Sequence, residues 1–547
     1  MTVRRTRAGG PGYVPVGERL PDPVTSAWAP LRLAAFRSLW LAVLASNVGT
    51  WMQTVGAQWL LVEEARASTL VALVQTASML PVLLLALPAG ALADTLDRRR
   101  LLIGVQFFLA TVGVLLTGLT AADRMPPALL LTLTFALGVG QALTLPAWQA
   151  VIPELVPRSQ LVSASALGSI SVNLARAVGP AVAGVLVAPA GVATVFAVNA
   201  VSFAVFALAL LRWRPERTGG DDLPERFTAA LRAGGRYVRH SPVVRRILLR
   251  AALFVVPGSA LWALLPLVAS RRLHLGAGGY GVLLAALGVG AVAGALVLPR
   301  IRLALTTNRL LLLAGLVYAA VLVVLALAPG PVPVALALVP AGMAWMTVLS
   351  SVNAAMQLFL PGWVRARGLS VYQMVFAGGQ ALGAVAWGAL GELTSLVVAL
   401  AVAAGTMAVG AVTVPLWPLR ETRGLDRDPA VWWPEPHLTL PADPRSGPVL
   451  VTVSYTVPPE RQTEFVAAMR LVGRSRRRTG AMRWGLFRPG EREDGFVEVY
   501  QVPSWEEHLR QHGGRLTGAD RGVEERARAL TVGEIVVNHL LPADSRD

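Results

Sequence analysis

Gly90–Arg100 reads Gly-Ala-Leu-Ala-Asp-Thr-Leu-Asp-Arg-Arg-Arg and lies between two runs, Leu70–Ala89 and Leu101–Ala122, that carry no charged residue. Asp94, Asp97, Arg98, Arg99 and Arg100 cannot sit in hydrocarbon. Each flanking run is long enough to cross a bilayer, which takes about 20 apolar residues. The stretch therefore reads as a tight turn between two spanning helices. Its arginines place it on the cytoplasmic side, because short cytoplasmic loops collect basic residues.

The rest of the composition agrees. The chain has 547 residues, 54% hydrophobic and only 15% charged, where a soluble domain has about 25%. Mean hydropathy is +0.57. Cysteine is absent, which excludes disulfides, thiolate metal sites and cysteine nucleophiles. All 49 basic residues are arginine, and the formal net charge is +17. The arginines flank apolar segments on one side, as membrane topology and contact with anionic headgroups require, and do not form a nucleic-acid patch.

Outward from the turn, further crossings are expected at Leu39–Val62, Ala128–Ile152, Leu161–Val187 and Val192–Leu211, then near 247–269, 279–299, 309–328, 332–359, 367–390 and 394–417. Arg300, Arg302, Arg309, Arg365 and Arg367 fall in one set of loops, and Glu63, Glu64, Arg271, Arg272 and Glu392 in the other. The expected organisation is a disordered cytoplasmic tail over 1–30, a six-helix half over 31–212 and a polar linker over 213–246. A second six-helix half over 247–418, a linker over 419–448 and a soluble domain over 449–547 follow, with both termini cytoplasmic. Within the first linker, Phe227–Val238 has the pattern of an amphipathic helix lying on the inner leaflet.

The halves echo each other: Glu154-Leu-Val-Pro157 before the fifth crossing matches Leu358-Phe-Leu-Pro361 before the eleventh. Parallel six-helix repeats are a transporter architecture with the substrate site near mid-membrane. The turn itself resembles the loop between helices two and three of the major facilitator superfamily, G-x-x-x-D-x-x-G-R-R/K. Gly90, Asp94, Arg98 and Arg99 match, and Asp97 replaces the second glycine. Gly179, Pro180 and Gly184 resemble that superfamily's helix-five antiporter signature, where a Gly-Pro pair permits a bend and close packing.

In the last hundred residues the period changes. Val449–Val457, Met482–Phe487, Phe496–Val502 and Glu534–Leu541 read as strands. Pro459–Arg478 and Ser504–Leu530 read as helices, the second opening on the capping box Ser504-Trp-Glu-Glu507. The order β-α-β-β-α-β is ferredoxin-like and resembles the small domains related to antibiotic-biosynthesis monooxygenases. As a whole the chain resembles transmembrane secretion effectors, near enterobactin-exporter-like proteins.

That resemblance implies a secondary active exporter of a small molecule (siderophore, antibiotic or other secondary metabolite) in the cell's inner membrane, working by alternating access. It implies no catalytic, cofactor or metal residues, and leaves self-association through the C-terminal domain open. A lipid flippase of the same fold and a membrane-tethered monooxygenase-like enzyme are the alternatives. Proton coupling is a family expectation that the sequence weakens, since no acid falls in mid-span and Thr134 stands where related exporters have arginine. Asn47, Gln53, Gln141, Asn173, Asn353 and Gln373 are candidates for a polar pathway, though amides also serve as helix–helix hydrogen bonds. Arg176 is the sharpest candidate, because a charge inside a span must face a cavity or a partner. Trp51, Trp59, Trp262 and Trp345 read as interface anchors or packing. His508 and His512, spaced i, i+4 with no third ligand nearby in sequence, read as a solvated helix face.

Overall fold

The structure is a computed structural model of the chain that describes residues 28–214, 227–419, 438–439, 443–444 and 446–543. The tail up to residue 27 and most of the two polar linkers lie outside the described residues, as do the side chains of Asp94 and Asn173.

The first half holds α1 (Ala34–Leu60), α2 (Ala67–Thr95), α3 (Arg98–Ala121), α4 (Pro127–Leu155) and α5 (Leu161–Arg212). After the linker helix α6 (Phe227–His240) come α7 (Pro242–Leu267), α8 (Ala277–Ala304), α9 (Thr307–Leu327), α10 (Pro331–Phe359), α11 (Gly362–Leu393) and α12 (Leu396–Val412). Nine of these are long and apolar enough to cross a membrane. One of the nine, α5, is two crossings, because Gly191 at φ 75° breaks its 52 residues into 161–190 and 192–212. The more polar α1 and the shorter α12 complete twelve crossings among the described residues.

Local chemistry sets the boundaries. Asp97, the departure from the expected glycine, N-caps α3 by accepting a hydrogen bond from Arg100 N at 2.8 Å. Ser241 and Ser395 cap α7 and α12 in the same way, and prolines open α4, α7 and α10. Large apolar side chains such as Leu303, Leu336 and Leu393 stay exposed, as surfaces solvated by lipid do.

The halves repeat in packing. In the first, α2 meets α4 at Gly138, where a Cβ would lie 2.9 Å from Ser78 O. In the second, α8 meets α10 at Gly342, where it would lie 2.0 Å from Leu287 O. The start of α3 donates from Arg99 to the carbonyls of Leu210 and Leu211, both at 2.9 Å. The start of α9 bonds through Asn308 to Leu419. These are the small-residue contacts and end-capping that hold apolar helices together where burial gives no preference.

Between the halves, α2 packs on α11 and α5 on α8. Gly184 and Gly281 touch backbone to backbone: a Cβ on Gly184 would lie 2.3 Å from Gly281 Cα. At the same end of the bundle, Gln58 Nε2 donates to Trp262 O at 3.1 Å and Tyr280 donates to Gln58 Oε1 at 3.0 Å. Arg271 donates to Glu64 O at 3.1 Å. The α1–α2 end is therefore closed.

The C-terminal domain comprises β1 (Val449–Thr456), α13 (Gln462–Thr479), β2 (Arg483–Phe487), β3 (Gly495–Val502), α14 (Trp505–Arg510), α15 (Gly518–Arg528) and β4 (Val532–Leu540). Its antiparallel sheet has the order β2-β3-β1-β4, the ferredoxin-like arrangement expected. The single helix expected over Ser504–Leu530 is instead two, parted by an irregular turn in which Gly514 takes φ 141°. Arg476 is buried between Glu498 at 3.0 Å and Glu524 at 3.3 Å. Burial opposes its charge, but the two carboxylates outweigh that and hold its pKa well above the ordinary value. The domain docks on α6 and the start of α11. Arg236 pairs with Glu507 at 3.4 Å, and the Arg515 guanidinium lies 4.9 Å over Trp363. Burial disfavours ionised Glu507, yet Arg515 and Arg236 keep its carboxyl below the usual carboxylate range. So α6 forms as read, but its Ala233, Gly234 and Tyr237 face protein.

Candidate functional site

Two features lie inside the bundle. The first is a cavity of about 180 Å³ within the N-terminal half, lined by α1, α2, α4 and the second crossing of α5. Its wall is polar because α1 carries Thr50, Gln53 and Thr54 on one stripe, facing Gln75 and Gln141. Gln141 Nε2 donates to Thr50 Oγ1 at 3.2 Å, and Asn199 Nδ2 donates to Gln53 Oε1. Both expected amides thus line the cavity while bonding between helices. Asn47 donates instead to Ser171 Oγ at 3.2 Å, and Asn353 accepts from Gln357 within α10. The structure does not bring Asn47, Asn353 or Gln373 to this cavity.

The second feature surrounds Arg176 on α5, where the halves meet. Its guanidinium lies 5.4 Å over the Trp51 ring of α1. Trp51 contacts Trp262 of α7 at 5.5 Å, and Trp262 contacts Trp345 of α10 at 5.7 Å. Phe254, Tyr318 and Phe376 continue the cluster around Trp345. These tryptophans, read from sequence as anchors or packing, lie at the centre; only Trp59, stacked on Tyr280 at 5.7 Å, sits at the closed end. Arg176, Trp262 and Trp345 share one slot of about 10 Å³, room for about one water. Arg176 Nε, Trp262 Nε1 and Trp345 Nε1 are each buried without an acceptor. An unmade hydrogen bond on a buried donor costs about 1–3 kcal/mol.

The motifs around the site are structural in different ways. Gly179 lets α5 approach α1, since a Cβ there would lie 2.7 Å from Trp51 Cβ. Arg98 pairs with Glu154 at 2.8 Å, tying α3 to α4. Arg250, which matches no sequence motif above, is buried in α7 and donates to Gly410 O at 3.0 Å and Trp417 O, closing the end of α12.

In the C-terminal domain His508 is fully buried and His512 nearly so, not on a solvated face. The returning strand β4 adds His539, and the nitrogens of the three rings lie within 4.8 Å of one another. Burial first, then His512 and His539, push His508 down to about 2. Burial and Arg476 push His512 down to about 4.

The family model described as transmembrane secretion effector matches residues 25–546. The staphyloferrin A transporter of Staphylococcus aureus is 24% identical over 257 residues, 46% of this chain and 64% of that protein. Macrolide efflux protein A of Streptococcus pyogenes is 22% identical over 235 residues, 43% and 58% of the two chains. This chain thus spans less than two thirds of the length of either. The enterobactin exporter of Citrobacter koseri is 27% identical over 348 residues, 62% of this chain and 81% of that one. In fold, the chain is similar to a bacterial homologue of the human lysosomal transporter Spinster, with a TM-score of 0.55 at 16% identity over 71% of this chain and 95% of that one. These are transporters; the flippase and the membrane-tethered enzyme are not favoured.

Proposed function

Because the chain belongs to the transmembrane secretion effector family of membrane transporters, we propose that it exports small molecules rich in acceptor oxygens, of the siderophore class, by alternating access. The observation that carries this reading is one slot between the halves lined by Arg176, Trp262 and Trp345, each of which has a buried nitrogen, Nε or Nε1, with no acceptor. Arg176's planar fork suits carboxylate or catecholate oxygens, and the aromatic ring faces suit the ligand's apolar part. Likeness to a staphyloferrin A transporter and an enterobactin exporter supports the same substrate class. Likeness to a macrolide exporter supports efflux as the direction.

In this reading the Arg98–Arg100 turn faces the cytoplasm, so the closed α1–α2 end faces outward. The slot opens when the halves rock apart, and the polar cavity around Gln53 and Gln141 extends the path. Gly90, Asp94, Arg98 and Arg99 act as the conformational switch, and Gly179, Pro180 and Gly184 as the helix-five pivot. Asn47, Asn173, Asn353 and Gln373 complete the wall in other states. The C-terminal domain supports self-association, since β4 is an edge strand that leaves Val536 and Val537 exposed. Efflux from cells with and without the protein, screened over siderophores, macrolides and cationic dyes, tests the proposal. Preferential loss of siderophore is the expected result, and export confined to cationic dyes would overturn it.

A further inference from the structure

Three imidazoles meet inside a domain that the transport reading leaves without a task. His508 comes from α14, His512 from the turn after it and His539 from β4. His508 Nε2 and His512 Nε2 stand 3.2 Å apart. Two nitrogens each about 2.0–2.1 Å from a tetrahedral zinc ion lie about 3.3 Å apart, so this pair is already at ligand spacing. Nε2 of His539 is buried with no hydrogen-bond partner, and its ring centroid lies 4.8 Å from that of His508. Closing the widest nitrogen separation, 4.8 Å, to ligand spacing takes a shift of about 1.5 Å. We propose that His508, His512 and His539 form a binding site for a first-row divalent transition-metal ion of the zinc class, with the fourth tetrahedral position left to a small exogenous ligand.

The surroundings fit a cation. Trp505 packs against His508 at 5.3 Å and edge-on against His539 at 5.6 Å, which fixes two of the rings. The cationic neighbour Arg476 is matched by Glu498 and Glu524, so its charge is compensated within the core. Ligation requires neutral imidazoles, and His508 and His512 are both buried. Packing alone would place apolar side chains at the buried His508 and His512 positions, and a polar nitrogen such as His539 Nε2 without a hydrogen-bond partner is costly there. This site is independent of the substrate slot, so either reading can fail without the other.

The test uses the full-length protein in nanodiscs, free of any affinity tag and stripped with chelator. Titration with Co(II) is expected to bind one equivalent per chain with the ligand-field bands of a tetrahedral ion, and Zn(II) to displace it. His512→Gln and His539→Gln should each weaken binding by at least about tenfold, with circular dichroism confirming the fold. Should either variant unfold, zinc-edge X-ray absorption on the unaltered protein decides: three imidazoles in the coordination shell support the site. A shell without three imidazoles, or Co(II) affinity unchanged by replacing all three histidines, overturns it.

Discussion

Replacing Gly184 with leucine should unseat the closed end of the bundle. A Cβ at 184 would lie 2.3 Å from Gly281 Cα and 3.0 Å from Gly281 N, which are backbone atoms that cannot turn aside. Carbon atoms in contact prefer about 3.5–4.0 Å, so α5 and α8 must separate by more than about 1 Å at this crossing. Overpacking of this kind costs about 1–3 kcal/mol. The cost falls on the conformation in which these helices touch, so the closed end should open more often by a factor between about 5 and 150. Ser68, buried beside Gly388 and Gly391 of α11, is a suitable reporter. The chain has no cysteine, so Ser68→Cys gives a single labelling site without further engineering. Maleimide labelling of Cys at 68 should accelerate by that factor in the Gly184→Leu background. An unchanged rate would refute the role assigned to the Gly184–Gly281 contact.

Asp94→Asn should slow transport without lowering expression, because a carboxylate at this turn can hold the positive end of a neighbouring helix; wild-type rates would remove Asp94 from the switch. Impermeant reagents applied to intact cells should label tags at Glu63–Arg66 and not at Arg98–Arg100, and the opposite pattern would invert the proposed orientation. Arg476→Met should leave Glu498 buried and uncompensated, at a cost of about 3–5 kcal/mol. Hydrogen exchange over β1 and β3 should then speed up by about a hundredfold or more, and unchanged protection would show that the ion pairs contribute little.

The crossings were legible because an uncharged run of some twenty residues has one physical reading, and loop charges supplied the rest. The ferredoxin-like order was equally plain, since Val449–Val457 alternates and Pro459–Arg478 does not. What sequence could not supply was convergence. Trp262 and Trp345 are apolar residues in apolar helices, and nothing local says that α7 and α10 bring both indoles to Arg176. His539 sits far along the chain from His508 and joins it only because β4 returns beside β1. Asp97 departs from the glycine of the loop pattern, and its worth as an N-cap follows from α3 beginning at Arg98. Arg250 does carry a local signal: a charge one turn inside an apolar segment needs partners, here the carbonyls ending α12.

The central claim, that Arg176 and its tryptophans receive the oxygens of an exported molecule, is tested most directly by transport in proteoliposomes of the unaltered protein, Arg176→Lys and Arg176→Ala. A catecholate or hydroxycarboxylate siderophore should be moved by the unaltered protein. Transport should fall by about tenfold or more in Arg176→Lys, which keeps the charge and loses the fork, and further in Arg176→Ala. Full transport by both variants would contradict the claim and make Arg176 a structural residue.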